Sequence, residues 1–552
     1  MGSKKMGAFG MAKNNSLVKN ASILMAATMI SRIIGLIYRR PLGEILGSVG
    51  LGYYGYASNL YSILLLISSY SIPMAVSKIV SERLAKKEYK NSQKIFRGAL
   101  IYGVIVGGLA ALVALFGGGI LLPANQQNAV PALQVLAPTI FLSAILGVLR
   151  GYFQAHHNMT PTSISQVLEQ IMNAIVSILA AWILISSLGD GASTTQVAIY
   201  GAVGGTLGTG AGVVMALVFM LLVYNANRKT FRMRALRDPH TREYSYRDVF
   251  GLIALMVTPV ILTTFINNAS NYLDSYLYAG IQGMHGISAD SISAAYGEFS
   301  NYYMPVINIP LALASASTSA MMPEVSGAFA LGENERANAS INQTIKLTMF
   351  ICIPATVGLT ILAYPVMGVL FPAASNTAAK LLMTGSLYVV FTALCTVTGG
   401  ALQSIGKQRI ALINAAISLV ANMAILAIML LVAPQLDIYA VMLAGIFFSV
   451  VYCILNQITI HKYLGFRMDL RKIYAEPVMA SAGMAVIAAV VYYGLFFLTR
   501  RPFISLIISI ILAIIAYLIF YIRFSHTSAE ELRRFPFGTK LVKIMKIMKV
   551  YR

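Results

Sequence analysis

Fourteen apolar runs joined by short connections leave this chain of 552 residues one class of fold. Each is about 20 residues or longer, enough to cross the hydrocarbon core as a helix. In lipid a helix satisfies its own backbone groups, whereas an open strand cannot. The runs centre on residues 22–38, 58–77, 98–122, 131–149, 163–186, 198–224, 249–279, 294–322, 345–371, 381–400, 410–432, 438–460, 478–498 and 503–522. The chain is 58% hydrophobic and 11% charged, too little charge to cover a soluble protein of this size. Nothing alternates as the strands of a barrel do. The sequence therefore reads as an all-α integral membrane protein of 14 transmembrane helices.

An internal repeat organises these helices. Gly151, Phe153, Gln154 and Ala155 reappear as Gly400, Leu402, Gln403 and Ser404, 249 positions later, each set in a turn where an apolar run ends. Val80-Ser81, with the polar segment after it, parallels Val325-Ser326 at a spacing of 245. Two homologous bundles of this kind usually rock about a shared central site, so a transporter is implied. On this reading residues 1–16 form an N-terminal tail, 17–225 a first lobe of six helices and 226–247 a basic linker. Residues 248–461 form a second six-helix lobe, 476–524 hold helices 13 and 14 outside the repeat, and 525–552 form a basic tail.

Basic residues set the expected orientation. All of the 41 Lys and Arg except Arg32, Arg39, Arg40, Lys380, Arg500 and Arg501 lie in or beside the tails or the connections after even-numbered spans. Both termini are thus expected in the cytoplasm, and the net charge of +22 reflects topology and attraction to anionic lipids rather than nucleic acid. Lys540, Lys543, Lys546 and Lys549 recur every third residue among Ile and Met. That spacing suits an interfacial amphipathic helix or a disordered basic tail.

Several chemistries find no support. Cys352, Cys395 and Cys453 all lie inside apolar runs and read as small packing residues, without Cys-x-x-Cys spacing. The first run ends in Tyr38-Arg39-Arg40-Pro41 and not at a small-residue cleavage site. His156-His157 has no carboxylate or Cys at ligand spacing. There is no phosphate-binding Gly-x-x-x-x-Gly-Lys-Ser/Thr loop, no nucleophile–base motif and no extramembrane catalytic domain. An enzyme, a metal and a cofactor are not expected.

Polar groups inside the runs carry the functional signal, because charge in a membrane is costly and usually faces a cavity or a partner. Arg32 lies in the first span and Arg39 two helical turns further on the same face. Two guanidinium groups along a wall suit a diphosphate, since planar donor forks match phosphate oxygens. Arg39 and Arg40 also fit anchors at the outer border. Asp274, in Asn271-Tyr272-Leu273-Asp274-Ser275, either binds a cation, sodium or proton, or pairs with a buried Arg. Asn414 and Asn422, eight apart on one face of span eleven, offer neutral oxygen ligands or interhelical hydrogen bonds. Asn59, Glu169 and Glu298 complete the polar set. Pro305 and Pro310, beside Tyr302, Tyr303 and Asn308, mark span eight as a bent helix lining a cavity.

Ser31-Arg32-Ile33-Ile34-Gly35, then Gly50-Leu51-Gly52-Tyr53-Tyr54-Gly55-Tyr56, then Ile72-Pro73-Met74-Ala75-Val76-Ser77-Lys78 and the turns at Gln154 and Gln403 carry a resemblance. In that order they resemble the polysaccharide-flippase branch of the multidrug/oligosaccharidyl-lipid/polysaccharide exporter superfamily. The similarity covers essentially the whole chain and is greatest to the SpoVB/YtgP type of MurJ lipid II flippases of Gram-positive bacteria. It implies two lobes around a cationic cavity, a lipid-tail groove on helices 13 and 14, and movement of lipid-linked peptidoglycan precursor to the outer leaflet by alternating access. A monomer suffices for that function. The resemblance also implies that Arg32 and Asn59 line the cavity and that Asp274 lies near a cation-binding position; Tyr302 and Asn308 join them as substrate-binding candidates from the reading of span eight.

Two departures stand out. Gram-negative members carry an arginine after the second-span asparagine, where this chain has Ser62-Ile63, and an Asp-Arg pair where it has Met304-Pro305. Either Arg39 or another cation substitutes, or the substrate is another undecaprenyl-diphosphate glycan, from teichoic acid or capsule. A multidrug/cation antiporter is a third reading, which the Arg pair disfavours. A membrane glycosyltransferase is expected to need a large catalytic loop that this chain lacks.

Overall fold

The computed structural model describes residues 23, 24, 26–70, 72–189, 191–236, 238, 243–524 and 542, and at 259, 260, 262–264, 266 and 267 the backbone alone. The N-terminal tail and, apart from Val542, the expected amphipathic tail lie outside these residues. All regular structure among them is helical. The chain forms two compact units, Met1–Gly297 and Glu298–Arg552.

The first unit contains α1 (Ala26–Ile37), α2 (Arg39–Leu65), α3 (Ile72–Ala85), α4 (Tyr89–Leu121), α5 (Val130–Ala155), α6 (Thr160–Ser186), α7 (Thr194–Leu236), α8 (Tyr246–Met284) and most of α9 (Ala289–Glu298). The second contains α10 (Met304–Ala330), α11 (Asn334–Ile361), α12 (Ala363–Leu370), α13 (Asn376–Gly385), α14 (Leu387–Ser404), α15 (Gln408–Val432), α16 (Ile438–Leu464), α17 (Glu476–Thr499) and α18 (Pro502–Phe524). Among the described residues twelve helices are long and apolar enough to cross a membrane, and they coincide with expected spans two to six and eight to fourteen. The first expected span falls on the shorter α1 and the seventh on α8, neither of which is among the twelve.

Large apolar side chains are exposed to a degree that a soluble protein does not show, and some polar ones are fully buried. Phe116, Ile120, Val432 and Leu498 are each more than three-quarters exposed, while Ser177, Ser418, Asn422 and Asn456 are fully buried. Continuous large apolar surface on this scale is tolerated in lipid and not in water. Helices in lipid associate through close van der Waals packing and shared hydrogen bonds. The α6–α7 contact follows that rule: Gly204, Gly208 and Gly212 recur every fourth residue on α7, and a methyl at any of them would strike Ala181, Ser177 or the Glu169 carbonyl on α6.

The repeat has a matching contact in each unit. In the first, Gly151 at the end of α5 lies so close to Pro73 on α3 that a Cβ would stand 2.6 Å from the Pro73 carbonyl oxygen. In the second, Gly400 on α14 presses against Thr318 on α10. Thr318 follows Pro73 at the same spacing of 245 that links Ser81 to Ser326. Glycine at both turns allows the end of one helix to lie against its neighbour, which accounts for the repeated Gly-x-x-Gln turns.

Backbone irregularities cluster where the expected polar spans lie. Gly47 interrupts α2 at φ 64°, a left-handed conformation that glycine adopts without steric cost. π-helical turns occupy Leu66–Tyr70 just before α3 and Phe299–Tyr303 just before α10. Such turns offset the side chains that follow them and often mark functional sites. In span eight the π turn precedes Pro305 in the first turn of α10 and Pro310 within it.

Candidate functional site

Arg32 is exposed on α1, while its neighbours along that face are engaged with α6. Thr28 Oγ1 stands 3.5 Å from the Gln166 amide oxygen, and Gly35 packs beside the Gln170 amide. One turn beyond, Asn173 reaches the Tyr38 hydroxyl at 3.5 Å. The α6 side chains facing α1 are therefore polar along its length. Arg150, the last residue but five of α5, supplies a second cation. Its Nη2 donates to Glu169 Oε2 at 2.7 Å and its Nε to Ser165 Oγ at 2.9 Å, both on α6. The pair is partly open to solvent, with side chains 15% and 29% exposed. Tyr70 is 62% exposed and lies within electrostatic range of Glu169, Arg150 and Arg32. Arg39 is half-buried, and Arg40 is exposed 3.5 Å from Glu44.

A second polar cluster joins α2, α8 and α9 within the first unit. The Asn59 amide donates to the Asn271 carbonyl at 2.9 Å, to Ser275 Oγ at 3.1 Å and to the Tyr296 hydroxyl at 2.9 Å. Asp274, 5% exposed, accepts from Ser270 Oγ at 2.8 Å. Stacked rings of Tyr56 and Tyr296, 4.3 Å apart, close the cluster beside Asn59. Asn59 and Asp274, assigned separate tasks from sequence, thus lie on one set of contacting helices. Further along α9, Asp290 accepts from the Tyr53 hydroxyl at 2.6 Å and from Thr195 Oγ1 at 3.2 Å.

Around α15 the second unit presents neutral groups. Asn414 donates to Asn456 Oδ1 at 3.0 Å and to Thr459 Oγ1 at 3.2 Å, linking α15 to α16. Asn456 reaches Thr398 on α14 at 3.4 Å, so three helices share one amide–hydroxyl chain. Asn422 is fully buried on the same helix. Tyr302 is buried with its ring 4.7 Å from Phe371, whereas Asn308 on α10 is exposed. Glu298 caps α13, its carboxylate accepting from the Ser375 and Ala378 backbone and from the Ser375 hydroxyl. Cys395 and Cys453 are buried side by side, Sγ to Sγ 3.1 Å, and Cys352 is buried apart from them. Among the described residues no three His, Cys, Asp or Glu side chains converge as metal ligands.

Arg150 and Tyr70 were not singled out in the sequence. Arg150 falls at the border of span four, where a basic residue satisfies the orientation rule, and its partner Glu169 lies nineteen positions away on the next helix. The signal was the unpaired-looking Glu169 near the start of span five, which demands a nearby cation.

Residues 17–329 match the family described as polysaccharide biosynthesis protein. The lipid II flippase MurJ of Bacillus subtilis (strain 168) is 27% identical over 428 residues, covering 74% of this chain and 76% of that protein. Stage V sporulation protein B of the same organism is 23% identical over 472 residues, covering 84% and 86%. The solved structure of lipid II flippase MurJ in an inward closed conformation shares the fold, with a TM-score of 0.65 and 15% identity over 90% of this chain and 98% of that one. With a multi-pass helical membrane fold and a family match over more than half its length, this chain belongs to the polysaccharide biosynthesis protein family.

Proposed function

We propose that this protein is a flippase that moves undecaprenyl-diphosphate-linked peptidoglycan precursor, lipid II, from the inner to the outer leaflet by alternating access. The observation that carries the reading is Arg32, an exposed guanidinium on an apolar helix that, like the partly open Arg150–Glu169 pair, lies within electrostatic range of the exposed Tyr70. A charge facing lipid tails costs several kcal/mol, so Arg32 faces a wet cavity, where its fork suits a diphosphate. The similarity to MurJ and to stage V sporulation protein B supports a transporter of lipid-linked glycan rather than an enzyme.

In this reading α1 and α8 are the first and seventh of fourteen spans, both termini are cytoplasmic, and the halves rock as six-helix lobes with α17 and α18 beside the lipid tail. Asp274 carries a coupling cation, sodium or proton, with Asn414 and Asn422 as further candidates. Moving one elementary charge across 100 mV changes its energy by about 2.3 kcal/mol, enough to bias such a cycle without nucleotide. Asp274→Asn then impairs turnover more than substrate binding.

A second reading keeps the mechanism and changes the glycan to a teichoic-acid or capsule repeat unit, and Ser62-Ile63 and Met304-Pro305 favour it. A cationic-drug antiporter is disfavoured, because Arg32 would repel its substrate. Depleting the protein in its native cell and measuring which lipid-linked precursor accumulates on the inner leaflet separates these readings. Lipid II is expected to accumulate, and Arg32→Ala is expected not to relieve the block. Accumulation of another glycan selects the second reading, and no accumulation of any overturns both.

A further inference from the structure

The diphosphate reading leaves the rest of the headgroup unplaced, and the first unit offers a surface for it. The π turn Leu66–Tyr70 ends on a tyrosine that projects outward, and α3 continues the same face. Tyr70, Met74, Ser77 and Ser81 follow one another at helical spacings of three and four residues, with Lys78 four beyond Met74. With Gln154 from the end of α5 they line an open groove of about 480 Å³. That volume falls within the range of small-ligand sites. Close contact of Gly151 with Pro73 brings Gln154 to the groove, so the repeated turn has a use beyond packing. Tyr70 belongs both to the groove and to the electrostatic neighbourhood of Arg32 and Arg150.

The internal repeat separates frame from chemistry. At the established spacings, Ser81 and Gln154 are matched by Ser326 and Gln403, whereas Tyr70 and Lys78 are matched by Ser315 and Pro323. Ser81 also donates to the Ala155 carbonyl at 3.2 Å, a structural task. An aromatic ring and a cation are thus what the first copy adds to a shared frame. Lys78 fits a topological border residue on its own, but Tyr70 in a π turn does not.

We propose that this groove is a subsite for the sugar–peptide part of the headgroup, adjoining the diphosphate held at Arg32. The proposal rests on the flippase reading. Tyr70 covers the apolar face of a sugar ring, Ser77 and Gln154 exchange hydrogen bonds with hydroxyls or amides, and the Lys78 ammonium takes a carboxylate. An anionic phospholipid phosphate would also suit Lys78, and the test distinguishes the two.

Binding is measured on the purified full-length protein in nanodiscs of neutral lipid. The probes are inorganic pyrophosphate and a short-chain, water-soluble diphosphate-linked disaccharide–peptide. Wild type is expected to bind the glycan at least about tenfold more tightly than pyrophosphate. Lys78→Gln and Gln154→Ala should each remove most of that gain and leave pyrophosphate binding unchanged, while Arg32→Ala weakens both. Met74→Trp, at a site 60% exposed, fills the groove without disturbing the core and should act as Lys78→Gln does. Variants that bind the glycan as wild type does overturn the subsite. So does a wild type that binds glycan no more tightly than pyrophosphate, and in both cases the diphosphate reading stands. Displacement of the glycan by added phosphatidylglycerol in wild type but not in Lys78→Gln assigns the groove to lipid and also overturns the subsite. If wild type binds neither probe, the flippase reading fails and the groove with it.

Discussion

The fifth and eleventh expected spans occupy equivalent places in the two copies of the repeat, yet their polar stripes differ in kind. On α6 the stripe reads Ser165, Glu169, Asn173 and Ser177; on α15, at the spacing of 249, it reads Asn414, Ser418, Asn422 and Leu426. Arg150, partner of Glu169, corresponds at that spacing to Gly399. The first stripe holds an ion pair that stays partly open to solvent, while the second holds neutral amides and a hydroxyl that are buried, with Asn414 bonded to the neighbouring helix and Ser418 to its own. Neutral groups survive burial when each finds a hydrogen bond, but an ion pair loses much of its attraction to desolvation. The contrast teaches that one helical frame carries a partly exposed ion pair in the first copy and a buried, neutral stripe in the second. On the proposed flippase reading, substrate contact by charge belongs to the first.

The largest effect should fall on Arg32. Arg32→Ala is expected to lower transport by about a hundredfold in protein that still folds, and Arg32→Lys to keep part of the activity, since charge survives and the fork does not. Ser418→Ala, in the matching buried stripe, should leave transport near wild type. Equal losses from both would break the comparison.

Packing should also differ between the copies. A Cβ at Gly151 meets the backbone of Pro73, which cannot yield, whereas at Gly400 it meets a Thr318 side chain that can turn away. Gly151→Ala is therefore expected to cost about 2–3 kcal/mol and Gly400→Ala about 1 kcal/mol, read from denaturation in detergent. The reverse order would contradict this account of the two contacts.

A smaller effect is expected at the ion pair. Glu169→Ala leaves Arg150 with its Ser165 bond alone, at a cost of about 1–2 kcal/mol given the partial exposure. Ser418→Ala should cost less than about 0.5 kcal/mol. Thermal unfolding of the two variants side by side checks this.

The smallest effect concerns His156, beyond the end of α5. Its ring lies against Tyr152 and Phe231, and burial lowers its pKa from the usual 6.5. The folded protein therefore resists protonation that the unfolded chain accepts. Stability at this site is full above pH 6.5 and falls as pH drops from there toward the lowered value. His156→Phe should flatten the pH dependence of Tm in that window, and an unchanged slope would exclude the imidazole as its source.

Much of this architecture was legible in the sequence because apolar length and repeat spacing depend on local pattern. Spans two to six and eight to fourteen have helical counterparts, and Gly151 and Gly400 took up matching contacts. Residues whose role depends on a partner across helices were harder to read. Arg150 hid among border cations because its carboxylate lies on the next helix, and nothing in the sequence around Tyr70 announced the π turn that ends on it. Asn59 and Asp274 were recognised singly, but nothing in their spacing announced that α2, α8 and α9 would bring them into one unit.

The central claim is that the charged face of the first copy moves a diphosphate-linked glycan across the membrane. Its most direct test is reconstitution of the purified protein in vesicles with fluorescent lipid II placed in one leaflet, following exposure in the other under an imposed potential and ion gradient. Exposure is expected to depend on wild-type protein, to be blocked by Arg32→Ala, and to be absent for a lipophilic cation offered in place of the glycan. Equal movement of lipid II by wild type and Arg32→Ala, or movement of the cation in its stead, would contradict the account.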